Sequence, residues 1–442
     1  MKFLGTHSDL HLFLKNFVPE FDSLPQEQQS VFETLLLGKL VNDSPSVAQI
    51  QRNVVGGLNQ TQFYANLHIL STKSQLYRQI ISALQNIPVF KMDSHGYLLW
   101  DEHVVQHSGK KIVGISSCHS TTTTLPVSAH ALQYAFYVGS RTKYPLYFDI
   151  FEKNPKTAGN AVGQKSLTKN EMFQKYLQSF MLDPNHATTT VFDAFFYVNV
   201  TVQLLNHHKM AFVSRPKRNR RVTYRKKHYS ITQLYDTLQN SDFTLVTVQN
   251  PNTKKRTSYY VATVDVFMKS IGNQRLVFID ADRLPKTDAG PEHSEVFESP
   301  SKRKFRVFVT NQFTWDAVKI LQTYMIRWSI ETHFRDESQN LGLHVCPWKE
   351  LADQRFFFAI TGLAYCFLQW WQHTHRYTHN LSPNLTIGEI KDEFEVECQW
   401  LLIDYIEHLR SCPETMKEAP IIEKCIRKIK PHAILDAAMQ IV

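Results

Sequence analysis

The chain lacks most of what builds an exported or membrane protein. Its six cysteines, Cys118, Cys346, Cys366, Cys398, Cys412 and Cys425, are scattered through 442 residues with no C-x-x-C pair. That spacing excludes a zinc ribbon and a disulfide framework, and it points to reduced thiols in a cytoplasmic protein. No apolar run reaches the ~20 residues that cross a bilayer. The longest, 356–371, has 16 residues with Thr361 and Gln369 inside it, and it reads as a buried core helix. The N-terminus, Met-Lys-Phe-Leu-Gly-Thr-His-Ser-Asp, turns polar too early for the apolar core of a signal peptide, so no export and no membrane partner are expected. Internal repeats and low-complexity tracts are also missing. Acid is not in excess: 49 Lys and Arg face 40 Asp and Glu, a net charge of +9 that favours a polyanionic partner without identifying it.

What is present is a large core. With 43% hydrophobic and 12% aromatic residues the chain has enough apolar mass for two to three globular units, at ~150 residues per unit. Residues 1–90 carry apolar positions at helical spacing, such as Leu10, Phe13, Leu14 and Phe17, and form a helical DNA-binding or dimerisation region. A loose helix-turn-helix pattern lies at 46–65, but six basic and six acidic residues in 1–90 give it no basic footprint, and a packing bundle is an equal reading. From about 97 the rhythm changes to strand-like runs at 97–100, 111–115 and 131–138. A helix at 167–181, a strand at 188–192, a helix near 199–209 and a strand at 210–213 follow, the alternation of a mixed α/β sheet. A β-rich insertion at about 216–305 interrupts it, with strands near 243–248, 258–266 and 276–279 and a turn-rich stretch at 284–301. The run 305–309 then brings the chain back to the sheet. Thr314 is expected to cap the next helix, with Asp316 in its first turn and Gly342 just past its end. The catalytic domain spans 91–375, and 376–442 forms a C-terminal helical region.

Three residues of that next helix suggest chemistry. Tyr324, Arg327 and Glu331 stand at offsets of 3 and 7, which at about 100° per residue puts a phenol, a guanidinium and a carboxylate on one arc. Ile326, Ile330 and Phe334 supply the neighbouring apolar stripe. Two further acids occupy strand ends: Asp101 closes Leu98-Leu99-Trp100, and Asp193 closes Val191-Phe192. Carboxylates there project into the crevice at the C-terminal ends of strands. Brought together, three carboxylates repel, and divalent cations relieve the conflict. An all-oxygen donor set suits two Mg²⁺ ions, or Mn²⁺, better than zinc, and two ions about 4 Å apart serve in-line displacement at a phosphodiester.

These residues resemble the signature of insertion-sequence DDE transposases of type four: Tyr324-x2-Arg327-x3-Glu331, with Arg327-Trp328-Ser329-Ile330-Glu331 and Leu341-Gly342-Leu343 around it. Val307-Phe308-Val309-Thr310-Asn311 with Ile320-Leu321 resembles the lead-in. Trp100-Asp101 with Ser108-Gly109-Lys110-Lys111 resembles the segment of the first aspartate, and Phe192-Asp193 with Val213-Ser214-Arg215 that of the second. The resemblance implies an RNase H-like fold with Asp101, Asp193 and Glu331 as catalytic metal ligands and Tyr324 and Arg327 on the DNA backbone. It departs at Ser338, where the family places a lysine or arginine; Arg335, on the arc of Glu331, is the nearest substitute.

The run 215–227 adds eight basic residues in 13 positions with no acid. Arg215, Lys217, Arg218, Arg220 and Arg221, beside a candidate active-site strand, are expected to contact phosphates, with salt-sensitive and largely sequence-independent affinity. The expected function is a DNA transposase that binds the inverted repeats ending a mobile element, cuts them, and joins them to target DNA. It would work as a homodimer on DNA, in the cytoplasm and on the nucleoid. The alternatives are a domesticated, catalytically impaired DNA-binding derivative, which Ser338 motivates, and a two-carboxylate glycoside hydrolase, which the basic run disfavours.

Overall fold

The computed structural model describes residues 3–411 except 43–45, 56, 73–75, 108–111, 120–125, 154–165, 184–185, 281–304, 347, 377, 380 and 383. The expected turn-rich stretch at 284–301, the segment 108–111, Cys412 and Cys425 lie outside the described residues. In chain order the elements open with β1 (Phe3–Leu4), α1 (Ser8–Phe17), α2 (Gln26–Val41), α3 (Val47–Asn53), β2 (Val54–Val55), α4 (Gln60–Ser71) and α5 (Leu76–Leu84). Next come β3 (Tyr97–Gln106), β4 (Ser116–His119), β5 (Pro126–Val138), β6 (Lys143–Phe151), α6 (Lys169–Phe180), β7 (Thr189–Phe192), α7 (Asn199–His207) and β8 (Ala211–Ser214). Then follow β9 (Arg221–Tyr224), β10 (Lys227–Ser230), α8 (Ile231–Asp236), β11 (Thr244–Gln249), β12 (Arg256–Met268), β13 (Gly272–Asp280) and β14 (Phe305–Thr310). The described chain ends with α9 (Ala317–Met325), α10 (Trp328–Gln339), α11 (Leu351–His375) and α12 (Ile387–Ser411). These form two compact units: Met1–Lys91, Val104–His130 and Phe334–Val442 make the first, and Met92–His103 and Ala131–His333 the second.

The first unit is mainly helical. In α11 every residue from Phe356 to Leu368 is buried, which accounts for the long apolar run: the helix is covered on all sides by protein. At Gly362 an added Cβ would lie 2.9 Å from the Tyr77 hydroxyl of α5, so only glycine permits that approach. No helix among the described residues is long and apolar enough to cross a membrane. Helices α3 and α4 are separated by β2, which pairs in parallel with β1, in place of a tight helix-turn-helix corner. The strand expected at 111–115 is instead a turn followed by β4. Gly114 has a φ of 81°, left-handed backbone that breaks extended pairing.

The second unit holds most of a mixed α/β sheet, mostly antiparallel; β4 and the residues 126–129 of β5 that pair with it belong to the first. The twelve strands run in the order β10-β9-β12-β13-β14-β8-β7-β3-β5-β4, with β11 paired to β12 and β6 to β5. β3, β7 and β8 are mutually parallel, while β5 and β6 form an antiparallel hairpin. Strand β6 was not anticipated, because Pro145 interrupts its run; that proline sits where the β5–β6 register shifts, on a strand paired on one side, a position that tolerates a missing N–H. The insertion is not a separate subdomain. Its strand β13 pairs with β14 and β14 with β8, so β9 to β13 extend the central sheet.

Candidate active site

Asp101 lies within β3, where successive side chains face opposite ways. Trp100 is fully buried and stacks on Phe173 of α6 with ring centroids 4.7 Å apart, and Asp101 takes the other face. Asp193 follows the last residue of β7; its carboxylate accepts the Phe195 N–H at 2.8 Å, and its carbonyl accepts the Ser214 hydroxyl at 3.1 Å. Glu331 stands in the first turn of α10.

The helix expected to carry Tyr324, Arg327 and Glu331 on one arc is two helices. Asp316, not Thr314, caps α9 by accepting the Lys319 N–H at 2.7 Å. α9 closes at Met325, and α10 opens at Trp328. The junction is tightened by i→i+3 hydrogen bonds, from Arg327 N to Tyr324 O at 3.0 Å and from Ser329 N to Ile326 O at 2.9 Å, the pattern of a tighter turn. Gly342 does adopt the left-handed conformation expected beyond the helix, with φ of 67°. Ile326, Ile330 and Phe334 are buried.

The junction aims Arg327 at the acids. Its Nη1 donates to Asp101 Oδ2 at 2.6 Å, and its Nη2 to Glu331 Oε1, while its Nε is buried with no hydrogen-bond partner. Burial drives the Asp101 carboxyl up; Arg327 opposes this, and the charges of Asp193 and Glu331 add to it. Both other acids therefore act on Asp101. For Arg327 burial disfavours the charge, but Tyr324, Asp101, Glu331 and Asp193 outweigh it and hold the guanidinium charged. Tyr324 is buried to 5% exposure, its ring 4.7 Å from Phe308, and burial raises its phenol. Arg335 is exposed on α10.

The basic run divides. Arg218 donates to the Phe305 carbonyl and lies 4.4 Å from that ring. Arg220 donates to the Tyr197 carbonyl at 3.1 Å and to the Asn199 side chain. Arg215 follows β8 and is close enough to Tyr324 to act on its phenol. Lys217 and Arg221 lie at the start of the insertion, Arg221 exposed. One residue was missed altogether. Asn252, in the β11–β12 turn, donates to the Met325 carbonyl at 3.2 Å and accepts from the Ser329 hydroxyl at 3.1 Å, tying the end of α9 to the start of α10 across Arg327. Its only sequence signal is the turn-forming Asn250-Pro251-Asn252, which does not point to a helix junction.

Asp101 and Glu331 both bond Arg327, Asp193 lies close enough to act on it, and the donors of the three acids are all hard oxygens. That set fits Mg²⁺ or Mn²⁺ and not zinc. Among the described residues, the group whose donor atoms lie within 4.8 Å of one another is His7, Asp9 and Glu397 in the first unit. Asp101, Asp193 and Glu331 do not form such a group.

Residues 161–367 match the family model described as Transposase DDE domain. The match supports a DDE transposase. It takes in Asp193, Tyr324, Arg327 and Glu331, while Asp101 precedes it. No curated protein matches the chain.

Proposed function

We propose that this protein is an insertion-sequence transposase of the type-four group, RNase H-like in its core, that cuts the inverted-repeat ends of a mobile element and joins them to target DNA. One observation carries the reading: Asp101 and Glu331 bond one guanidinium, and Asp193, 92 residues from Asp101 and 138 from Glu331 in sequence, is close enough to act on both that guanidinium and Asp101. The sheet order supports the fold, since β6, β5 and β3 form a meander to which β7 and β8 add in parallel on the far side.

Asp101, Asp193 and Glu331 are the residues that would hold two Mg²⁺ or Mn²⁺ ions. Such ions, when bound, activate an attacking oxygen and stabilise the leaving one. The residues supply the rest. Asp101 and Glu331 hold the Arg327 guanidinium at the junction, and that planar fork is the group that would take a phosphate of the cut strand. Tyr324 lines the same junction and orients Arg327 from beneath, its ring centroid 5.7 Å from the guanidinium carbon. Asn252 holds the junction that aims both. Two ends must be held for joining, so the active form is a homodimer on DNA, in the cytoplasm and on the nucleoid.

The test is cleavage of the cognate inverted-repeat end with and without Mg²⁺. Wild-type protein should nick only with metal, and Asp101→Ala, Asp193→Ala and Glu331→Gln should not nick at all. Activity retained by any of the three refutes its assignment. Tight end binding with no nicking under any metal would select the binding-only derivative that Ser338 suggests.

A further inference from the structure

At the tip of the β9–β10 hairpin, two residues adopt a backbone that side chains disfavour. Tyr224 pairs with Lys227 across a two-residue turn, and its central residues, Arg225 and Lys226, have φ of 47° and 65°. Turns with both centres left-handed match the twist of paired strands and are usually built from Asn-Gly or Asp-Gly. A larger side chain there costs about 1–2 kcal/mol per residue. Packing does not explain the choice, since Arg225, Lys226 and Lys227 are exposed, as is Arg221 at the other end of β9. Among the described residues no carboxylate pairs with any of the four.

The base of the hairpin is the opposite. Arg220 is fastened to Tyr197 and Asn199, in the segment that leads from Asp193 into α7, and Arg218 to the first residue of β14. The preceding strand, β8, ends at Ser214, bonded to the Asp193 carbonyl. The hairpin is thus anchored beside the second acid by its inner arginines, while among the described residues its outer cations pair with no carboxylate. Arg225 also lies 5.0 Å from the Tyr224 ring, which pre-orients its guanidinium.

We infer that this tip is a clamp on the sugar-phosphate backbone of duplex DNA flanking the cleavage site, gripping through Arg221, Arg225, Lys226 and Lys227. The inference rests on the transposase reading and adds to it the division of labour within the basic run: the base positions, and the tip binds. A row of phosphates rewards closely spaced cations regardless of base sequence. The cost of cations in a turn that glycine would fill more easily is then offset by binding.

The deciding variant is Arg225→Asn with Lys226→Gly, which gives the turn its favoured residues and removes two charges. Full-length wild type and variant are titrated onto a fluorescent duplex of arbitrary sequence over a range of NaCl, and their thermal midpoints are measured. The variant should melt at the same temperature or higher. Its log Kd against log salt should be shallower by about 1.8, two phosphate contacts at ~0.9 each, with affinity near 0.15 M salt reduced about tenfold or more. An equal slope and affinity in a variant of equal or higher stability would overturn the clamp while leaving the transposase reading intact. Wild-type protein that shows no salt-dependent duplex binding would overturn both.

Discussion

Two groups of carboxylates in this molecule stand in opposite electrostatic condition. In the first unit, Asp9 accepts the Trp371 indole N–H at 3.2 Å and lies 2.9 Å from His375 Nε2, while Glu397 lies 3.4 Å from His7 Nε2. His7 Nδ1 accepts the Asp9 backbone N–H at 3.2 Å and caps α1, so the ring proton sits on Nε2, facing Glu397. Although burial pushes the Glu397 carboxyl up, the His7 bond and the nearby imidazoles His7, His379 and His375 bring it below its ordinary range. Those acids sit among the histidines that link α1 to α11 and α12, where His7 Nε2, His375 Nε2 and Glu397 Oε2 are buried outside hydrogen-bonding geometry. In the second unit, Asp101 and Glu331 share one arginine with Asp193 nearby, and Asp101 moves the other way. The first group meets its charge with histidines, the second with a single buried guanidinium.

Substitutions should separate the two groups. Asp101→Asn, Asp193→Asn and Glu331→Gln each should lower metal-dependent cleavage by at least ~10³-fold, about 4 kcal/mol of barrier. Removing a repelling acid should leave the thermal midpoint unchanged or raised. Asp9→Asn should do the reverse, lowering stability by ~1–2 kcal/mol through the lost links among α1 and α11 while end cleavage is retained at permissive temperature. Removing Arg327 tests the second group directly. Arg327→Met leaves Asp101 and Glu331 without their counter-charge and should destabilise by about 3 kcal/mol in urea melts. Millimolar Mg²⁺ should restore more stability to this variant than to wild type, by mass action on the native state.

Lys39 of α2 is a third kind of imbalance, a cation in an apolar place. It is 1% exposed, donates to the Leu341 carbonyl at 3.1 Å and lies 3.7 Å from the Phe357 ring. Burial lowers it from its ordinary 10.5 to about 7, against the pull of Cys346 and Glu337. Between those values the unfolded chain holds the proton and the folded chain does not, so stability should rise with pH from 7 toward 10. Wild type should gain about 2 kcal/mol over Lys39→Met between pH 7 and pH 9, by urea denaturation. Parallel curves would show that Lys39 keeps its proton. The smallest effect belongs to Asn252→Ala. It should lower stability by ~1 kcal/mol, and it should reduce cleavage about tenfold with unchanged DNA affinity, as a residue that aims Arg327 and Glu331 without touching substrate.

Much of this arrangement is legible in the chain, and what is not has physical causes. The strand end at Asp193 follows from a short β-branched and aromatic run closed by an acid, a local signal, whereas β3 does not close at Asp101 as its apolar run suggests but continues to Gln106. Thr168 and Glu171 form a full capping box at the start of α6, and the periodicity near 167–181 reflects that helix. The break at Ile326 and Arg327 is invisible to periodicity, because Tyr324, Arg327 and Glu331 keep offsets that suit an unbroken helix; the junction is held by Asn252, 77 residues from Ser329 in sequence. The internal use of Arg218 and Arg220 was equally hidden, since a guanidinium that holds a carbonyl reads in sequence like one that holds a phosphate. The positive φ at Arg225 and Lys226 contradicts residue preference outright, which is why it is informative.

The most direct test of the central claim counts bound ions. Mn²⁺ bound to the full chain with a duplex end can be titrated by electron paramagnetic resonance, for wild type, Asp101→Asn, Asp193→Asn, Glu331→Gln and Asp9→Asn. The account predicts that bound Mn²⁺ falls in each of the first three variants and stays at the wild-type level in Asp9→Asn. Binding that survives all three triad substitutions, or that disappears with Asp9, would contradict it.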